Sequence, residues 1–137
     1  MRNRLLAYKG TREQARKKVT KMLERKRFII SDRGEILRFR SGLATPIHCY
    51  LKFKEADKVT EAQLYIYTAF WYYIMTAVVG VVPFAIGIYF FGRSGFISAV
   101  LMLFGFAGLL TSILFARIME KQNDVFVSQE MHSLEFF

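Results

Sequence analysis

Two long stretches without charge constrain this 137-residue chain more than any other feature of its sequence. Residues 62–92 contain no Asp, Glu, Lys or Arg, residues 94–116 contain none either, and Arg93 alone separates them. An α-helix rises about 1.5 Å per residue, so about 20 apolar residues cross the ~30 Å hydrocarbon core of a bilayer. The pattern therefore predicts two membrane-spanning helices, over about 64–91 and 96–116, joined by a tight turn.

The charges that flank these stretches predict how the hairpin is oriented. Of the 20 Lys and Arg residues, 17 precede residue 62, one lies in the turn and two follow the second stretch. Basic residues accumulate on the cytoplasmic side of membrane proteins. We therefore expect a multi-pass integral membrane protein with both chain ends on the cytoplasmic side or, in an organelle, on the matrix side.

Aromatic and small residues are unevenly distributed along the predicted spans. Amphipathic aromatic rings favour the headgroup level of a bilayer, and small residues let membrane helices approach closely. The predicted interfacial aromatic residues are Tyr65, Tyr67, Trp71, Tyr72 and Tyr73. The predicted helix-packing interface consists of Gly80, Gly87, Gly105, Gly108, Ser112 and Ala116. This interface packs either the two helices against each other or the hairpin against another subunit.

The first 61 residues have the pattern of a small α+β domain. Thr11 and Gln14 have the spacing of a capping box, and apolar residues at helical spacing follow, so a helix is predicted over 11–26. Strands are predicted over the segments 27–31, 35–40 and 47–54. The predicted core consists of Val19, Met22, Leu23, Phe28, Ile30, Leu37, Phe39, Ile47, Cys49, Leu51 and Phe53.

The predicted fold class is thus a membrane α-helical protein with a two-span hairpin. A small domain, a helix on a three-stranded antiparallel sheet, precedes the hairpin. The domain boundaries are 1–61 for the basic α+β domain, 62–117 for the hairpin and 118–137 for an acidic tail.

The α+β domain is strongly basic, with a net charge of +10 over residues 1–61. The basic surface on and after its helix consists of Arg16, Lys17, Lys18, Lys21, Arg25, Lys26 and Arg27. Near a membrane each such charge attracts anionic lipid headgroups by about 1 kcal/mol. Lipid headgroups are therefore the expected partner. An acidic protein is an alternative, and so is nucleic acid, which the strand residues Arg38, Arg40, Lys52 and Lys54 would contact.

The tail carries a net charge of −3 and ends in Phe136 and Phe137. Two terminal phenylalanine side chains left in water would be an exposed apolar liability. We therefore predict that the last residues dock, either onto the basic domain of the same chain or onto a partner.

Residues with catalytic or metal-binding chemistry are sparse. Cys49 is the one cysteine and is expected to be a buried apolar residue, while His48 and His132 are the two histidines. These residues are not spaced as metal ligands, and no catalytic motif is present, so we expect neither an enzyme nor a cofactor.

Apart from tyrosines, the predicted spans contain no ionisable side chain, whereas transporters usually carry one within the membrane. The expected function is a non-catalytic structural or accessory subunit of a larger membrane complex, with lipids and other subunits or copies of itself as partners. A homo-oligomeric pore or scaffold is an alternative. So is a membrane-tethered adaptor that binds nucleic acid, ribosomes or acidic proteins.

Overall fold

The computed structural model describes residues 2–137, which form five strands and three helices. They are β1 (Arg2–Lys9), α1 (Arg12–Arg25), β2 (Ile29–Arg33), β3 (Ile36–Arg40), β4 (Ile47–Ala56), β5 (Val59–Thr68), α2 (Phe70–Phe90) and α3 (Gly95–Ser133). The chain divides into two compact units. The first, the sheet domain, contains the residues up to Thr68 together with Met119–Phe137. The second, the helix pair, is Ala69–Ile118.

Helix α1 begins where the sequence predicts. The Thr11 side chain accepts a hydrogen bond from the backbone N–H of Gln14, and the Gln14 side chain accepts one from the backbone N–H of Thr11. This reciprocal pair satisfies two backbone donors that have no partner inside the helix. The capping box is therefore confirmed, and it fixes the first turn of α1. Gly10 and Thr11 link β1 to this helix.

The sheet has five antiparallel strands in the order β1-β5-β4-β3-β2, so the prediction of three strands is wrong. The predicted strands correspond to β2, β3 and β4. The two additional strands lie beyond β4, where β5 pairs with β4 and β1 pairs with β5. A two-residue turn at Asp57 and Lys58 joins β4 to β5, because Ala56 pairs directly with Val59.

Strand β5 also corrects the start of the first apolar helix. Residues 64–68, which the sequence assigned to that helix, continue the alternation of β5, with Leu64 and Ile66 buried and Tyr65 and Tyr67 half-buried on the other face. A strand with uncharged residues on both faces has the same composition as the beginning of a membrane span. In the structure helix α2 starts only at Phe70, and its length is 21 residues.

The core of the sheet domain lies between α1 and one face of the sheet. Of the eleven predicted core residues, nine are buried and the other two, Phe28 and Ile30, pack against them. The same core contains residues from β1, β5 and the C-terminal segment. These additional members are Leu6, Tyr8, Ala62, Leu64, Ile66, Val127, Met131 and Phe136, and Ala15 of α1 joins them.

The C-terminal residues dock onto β1 of their own chain, which confirms the intramolecular form of the docking prediction. Phe136 is 2% exposed and lies against the Tyr8 ring, with 5.0 Å between the ring centroids. The backbones of Ala7 and Phe137 exchange two hydrogen bonds, of 2.7 and 2.8 Å. The acidic segment is helical up to Ser133, because α3 continues beyond the predicted end at residue 116.

In the helix pair, α2 and α3 are joined by a short turn. The backbone N–H groups of Arg93 and Ser94 both donate to the carbonyl oxygen of Phe90 at the end of α2. Both helices are long and apolar enough to cross a membrane. Pro83 lies within α2.

Candidate functional site

The contact between α2 and α3 is built on glycine. At Gly105, a Cβ atom would lie 2.5 Å from the carbonyl oxygen of Gly80 and 2.9 Å from the backbone nitrogen of Phe84. Because backbone atoms cannot move aside as a flexible side chain can, only glycine fits at this point. At Gly80 and Gly87 the added Cβ would collide with Leu109 and Met102, respectively.

Hydrogen bonds join the two helices near both ends of the pair. Near the turn, the Ser98 hydroxyl donates to the carbonyl oxygen of Gly87 at 2.6 Å, and this bond is buried. Near the other end, the Tyr72 hydroxyl donates to the carbonyl oxygen of Ser112 at 3.0 Å. Polar atoms of these two side chains are therefore satisfied inside the pair.

Only some of the remaining residues predicted for the helix-packing interface and for the interfacial aromatic set lie where the sequence predicts. Gly108 is only in ordinary contact distance of Val79, while Ala116 is buried. Trp71 and Tyr73 project outwards from the first turn of α2. By contrast, Tyr65 and Tyr67 belong to β5 in the sheet domain, so they do not lie on the helix that the sequence predicted for them.

The outer surface of the helix pair is almost entirely apolar. Of the most hydrophobic stretch of each helix, only 17% is buried in α2 and 11% in α3. The exposed side chains are large, and among them are Val78, Val82, Ile86, Phe104, Phe106, Leu110 and Leu114. An apolar groove of about 400 Å³ on this surface is lined by Phe84, Phe91, Ala99, Met102, Leu103 and Phe106.

Part of the predicted basic surface on α1 is used inside the sheet domain. Arg16 forms an ion pair with Asp32 and donates to the carbonyl oxygen of Gly34. Lys18 binds Glu135 at 2.7 Å, and Lys26 pairs with Glu130 at 3.0 Å. The hydrogen bond to Glu135 raises the pKa of Lys18, and the same bond lowers the pKa of Glu135.

The other members of this surface, Lys17, Lys21, Arg25 and Arg27, are exposed and form no ion pair within residues 2–137. The positive charge on and after α1 therefore has two roles. Two lysines hold the C-terminal segment against the domain, and the four exposed residues remain available to an outside partner.

The sheet face opposite α1 carries a second basic surface, here called the open face. Tyr50 and Tyr65, directly opposite each other on β4 and β5, stack with 4.6 Å between centroids and 12° between planes. Tyr67 packs edge-on against Tyr50, and the ring centroids of His48 and Tyr67 are 5.7 Å apart. The burial pattern of β3 and β4 places Arg38, Arg40, Lys52 and Lys54 on this same side.

At one end of the open face the strands form a half-open cavity of about 350 Å³, which we call the arginine cavity. Its polar lining consists of Ser31, Arg33, Arg38, Arg40, His48 and Tyr67. Burial lowers the pKa of His48, and the positive charges of Arg40 and Arg38 lower it further. The Nε2 atom of His48 is buried without a hydrogen-bond partner among the described residues.

The sequence predicts part of this cavity. In the strands predicted over 35–40 and 47–54, Arg38, Arg40 and His48 alternate with predicted core residues, whereas Arg33 lies outside the strand predicted over 27–31. In the structure Arg33 is the last residue of β2 and pairs with Ile36. The observed β2 is shifted by two residues towards the C-terminus relative to the predicted strand, which brings this third guanidinium to the cavity. No local signal in the sequence predicts that shift.

No protein-family model matches this chain, and neither a curated protein nor a solved structure does. Within residues 2–137, no three His, Cys, Asp or Glu side chains are grouped so that they would hold a metal ion. The features of this chain that bear on its function are the apolar exterior of the helix pair and the two basic surfaces of the sheet domain.

Proposed function

We propose that this chain is a non-catalytic accessory subunit of a larger membrane protein complex, anchored in the bilayer by α2 and α3. The observation that carries the proposal is the exposure of the helix pair. Only 17% of the most apolar stretch of α2 and 11% of that of α3 is buried within the chain. In water so large an apolar patch drives association, whereas in hydrocarbon it is the expected surface.

The lengths of the helices agree with this placement. The 21 residues of α2 extend about 32 Å, close to the ~30 Å hydrocarbon thickness. Helix α3 has no charged residue from Gly95 until Arg117, which gives a second apolar stretch of similar length. Because the helices are antiparallel, both ends of the chain lie on one side, and the 17 basic residues before residue 62 favour the cytoplasmic or matrix side.

A partner subunit is proposed because the pair leaves apolar surface after its own packing. Gly80, Gly87 and Gly105 are used between α2 and α3, so they are not available for another helix. The groove lined by Phe84, Met102 and Phe106 remains open on the outside. A groove of this shape accepts a large apolar side chain from a neighbouring membrane helix, and dispersion contacts drive such packing in lipid.

The alternative of a homo-oligomeric pore is less well supported. A pore needs polar side chains along its lining, and the helix pair offers few. Ser98 donates to Gly87 inside the pair, and the Thr111 hydroxyl donates back to the carbonyl oxygen of Ala107 on its own helix. These hydroxyl groups are therefore poor candidates for coordinating water or ions in a channel.

Native extraction tests the proposal for assembly. Full-length protein, extracted from its own membrane in a mild detergent, is expected to migrate as a complex larger than its 16.0 kDa chain and to carry other membrane proteins with it. A single monomeric species under the gentlest extraction would contradict the accessory role. A complex that contains only this chain would instead favour the scaffold alternative.

Cysteine labelling tests the topology. Cys49 is buried, and burial raises its pKa to about 12, so the native thiol gives no background. A membrane-impermeant maleimide, added to sealed vesicles, is expected to label Gln129→Cys and Lys17→Cys from the same side. Ser94→Cys, in the turn, is expected to react only from the opposite side. Labelling of all three from one side would contradict a two-span hairpin.

A further inference from the structure

The arginine cavity holds three positive charges that the sheet domain leaves unneutralised. Within residues 2–137, no carboxylate is in ion-pair contact with Arg33, Arg38 or Arg40. The sheet domain neutralises arginine elsewhere, since Arg2 and Arg4 both pair with the buried Asp124. Like charges brought to one cavity repel, so this arrangement is stabilised when an anion enters from outside.

The chemistry of the lining favours a phosphate group. Guanidinium groups donate in a planar fork that matches phosphate oxygens, and they lose less hydration than ammonium groups do. Ser31 and His48 add a hydroxyl group and a ring nitrogen that lacks a partner among the described residues. The cavity volume of about 350 Å³ is near the lower end of the usual range for ligand pockets, which begins at roughly 300 Å³. This volume fits one small polar headgroup.

The aromatic residues of the open face argue against a nucleic-acid strand. Proteins that bind single strands offer free ring faces on which bases stack. Here Tyr50 and Tyr65 stack on each other, and the Tyr65 hydroxyl donates to the Gln63 side chain at 2.9 Å. Moreover, the acidic Glu61 lies directly opposite Lys54 on this face, which interrupts a continuous basic track.

The connectivity of the chain points to the source of the phosphate. Tyr67 lines the cavity and precedes Phe70, the first residue of α2, by three residues. Covalent geometry limits their separation to about 10 Å, whatever the conformation of the link. If α2 enters the bilayer at Phe70, at least this wall of the cavity is within reach of the headgroup layer.

We propose that the arginine cavity binds the phosphate of an anionic phospholipid headgroup. This inference rests on the proposed membrane anchoring for its ligand. It goes beyond that function by assigning a discrete headgroup site to Arg33, Arg38, Arg40 and His48 on the open face, separate from the exposed charges of α1.

The experiment uses the two histidines as reporters in the full chain. The NMR titrations of His48 and His132 are recorded in nanodiscs of phosphatidylcholine and in nanodiscs that also contain phosphatidylglycerol. A bound anion offsets the arginine charges that face His48, so its titration midpoint is expected to rise on the order of half a pH unit with phosphatidylglycerol. His132, which contacts the carbonyl oxygen of Phe136 in the C-terminal segment, serves as the internal control.

Matched variants separate the site from general attraction to an anionic surface. Arg38→Gln with Arg40→Gln is expected to abolish the rise in the His48 midpoint. Lys17→Gln with Lys21→Gln removes the same charge from α1 and is expected to preserve the rise. Equal rises in both double variants, or no rise in the unaltered chain, would overturn the site. Circular dichroism of each variant reports whether the fold is intact.

Two further arms identify the source of the phosphate. In maltoside micelles, which contain no phosphate, glycerol 3-phosphate and a single-stranded oligonucleotide are titrated separately. A rise in the His48 midpoint with either of these but not with phosphatidylglycerol would overturn the lipid assignment. A chain that fails to insert into nanodiscs and stays dispersed without detergent defeats the membrane anchor as well. A chain that inserts but shows a flat His48 response defeats only the headgroup site.

Discussion

The two units of this chain bury opposite kinds of residue. In the sheet domain, large apolar side chains such as Leu51, Leu64 and Phe136 are buried, and the charged residues other than Glu120 and Asp124 are half-buried or exposed. In the helix pair, glycine, serine and threonine are buried, while phenylalanine, isoleucine and valine are exposed. The first pattern follows from the removal of apolar surface from water. The second is the pattern expected of close backbone packing in a solvent that is itself apolar.

This comparison explains why similar substitutions should have unequal effects in the two units. In the sheet domain, stability depends on the volume that fills the core. In the helix pair, stability depends on residues without side-chain volume at the contact between α2 and α3, because they let the two backbones approach closely.

The largest effect is expected at the C-terminal phenylalanine that completes the core. Phe136→Ala leaves a cavity beside Tyr8 and should lower the free energy of unfolding of the sheet domain by about 3–5 kcal/mol. Phe137→Ala is the matched control, because the Phe137 side chain is 58% exposed and its backbone hydrogen bonds with Ala7 remain. Denaturant unfolding of both variants in detergent measures the difference. Equal losses would show that Phe136 does not act as a core residue.

An intermediate effect is expected in the helix pair. Gly105→Ala places a methyl group against the backbone at Gly80 and should destabilise the packing of α2 on α3 by about 1–3 kcal/mol. Gly108→Ala is the control on the same helix, because its methyl group would reach only ordinary contact distance, 3.9 Å from Val79. Thermal unfolding in detergent compares the two variants. If Gly105→Ala proves as stable as Gly108→Ala, the close approach is not a stabilising contact.

The smallest effect is expected at the exposed ion pair between Lys18 and Glu135. The lowered pKa of Glu135 means that its contribution is present above its ordinary value of 4.5 and is lost as the pH falls through the folded-state value. The raised pKa of Lys18 means that its contribution is present below 10.5 and is lost as the pH rises through its folded-state value. The pair therefore stabilises the docked C-terminal segment between these limits.

Glu135→Gln tests this pH dependence. The variant should have a slightly lower melting temperature than the unaltered chain at neutral pH, and the difference should shrink towards zero as the pH falls well below 4.5. Salt should weaken the difference, because both side chains are at the surface. A difference that stays constant across the acid range would assign the effect to something other than this ion pair.

The sequence predicted the features that depend on neighbouring residues. The capping box of α1 and the alternation of β3 and β4 are local patterns, and the structure confirms them. Strand β1 was missed because its inward face mixes Arg2 and Arg4 with apolar residues. In the structure the opposing charge comes from Asp124, 120 residues after Arg4.

The candidate site shows the same limit. The outward positions of Arg38, Arg40 and His48 follow from alternation, but their meeting with Arg33 and Tyr67 depends on pairing among β2, β3, β4 and β5. Such pairing is set by the register of distant segments, which no short window of sequence contains. The uncharged second part of β5, residues 62–68, also concealed where the sheet ends and the apolar helix begins.

Fluorescence of the single tryptophan tests the central claim, that the helix pair lies in hydrocarbon, most directly. Trp71 is the second residue of α2 and is 47% exposed. Full-length protein is reconstituted with phospholipids that carry a nitroxide either close to the headgroup or close to the end of the acyl chain. We predict strong quenching by the shallow nitroxide, weaker quenching by the deep one and little quenching by iodide in the water. Complete quenching by iodide with no effect of either nitroxide would contradict the account.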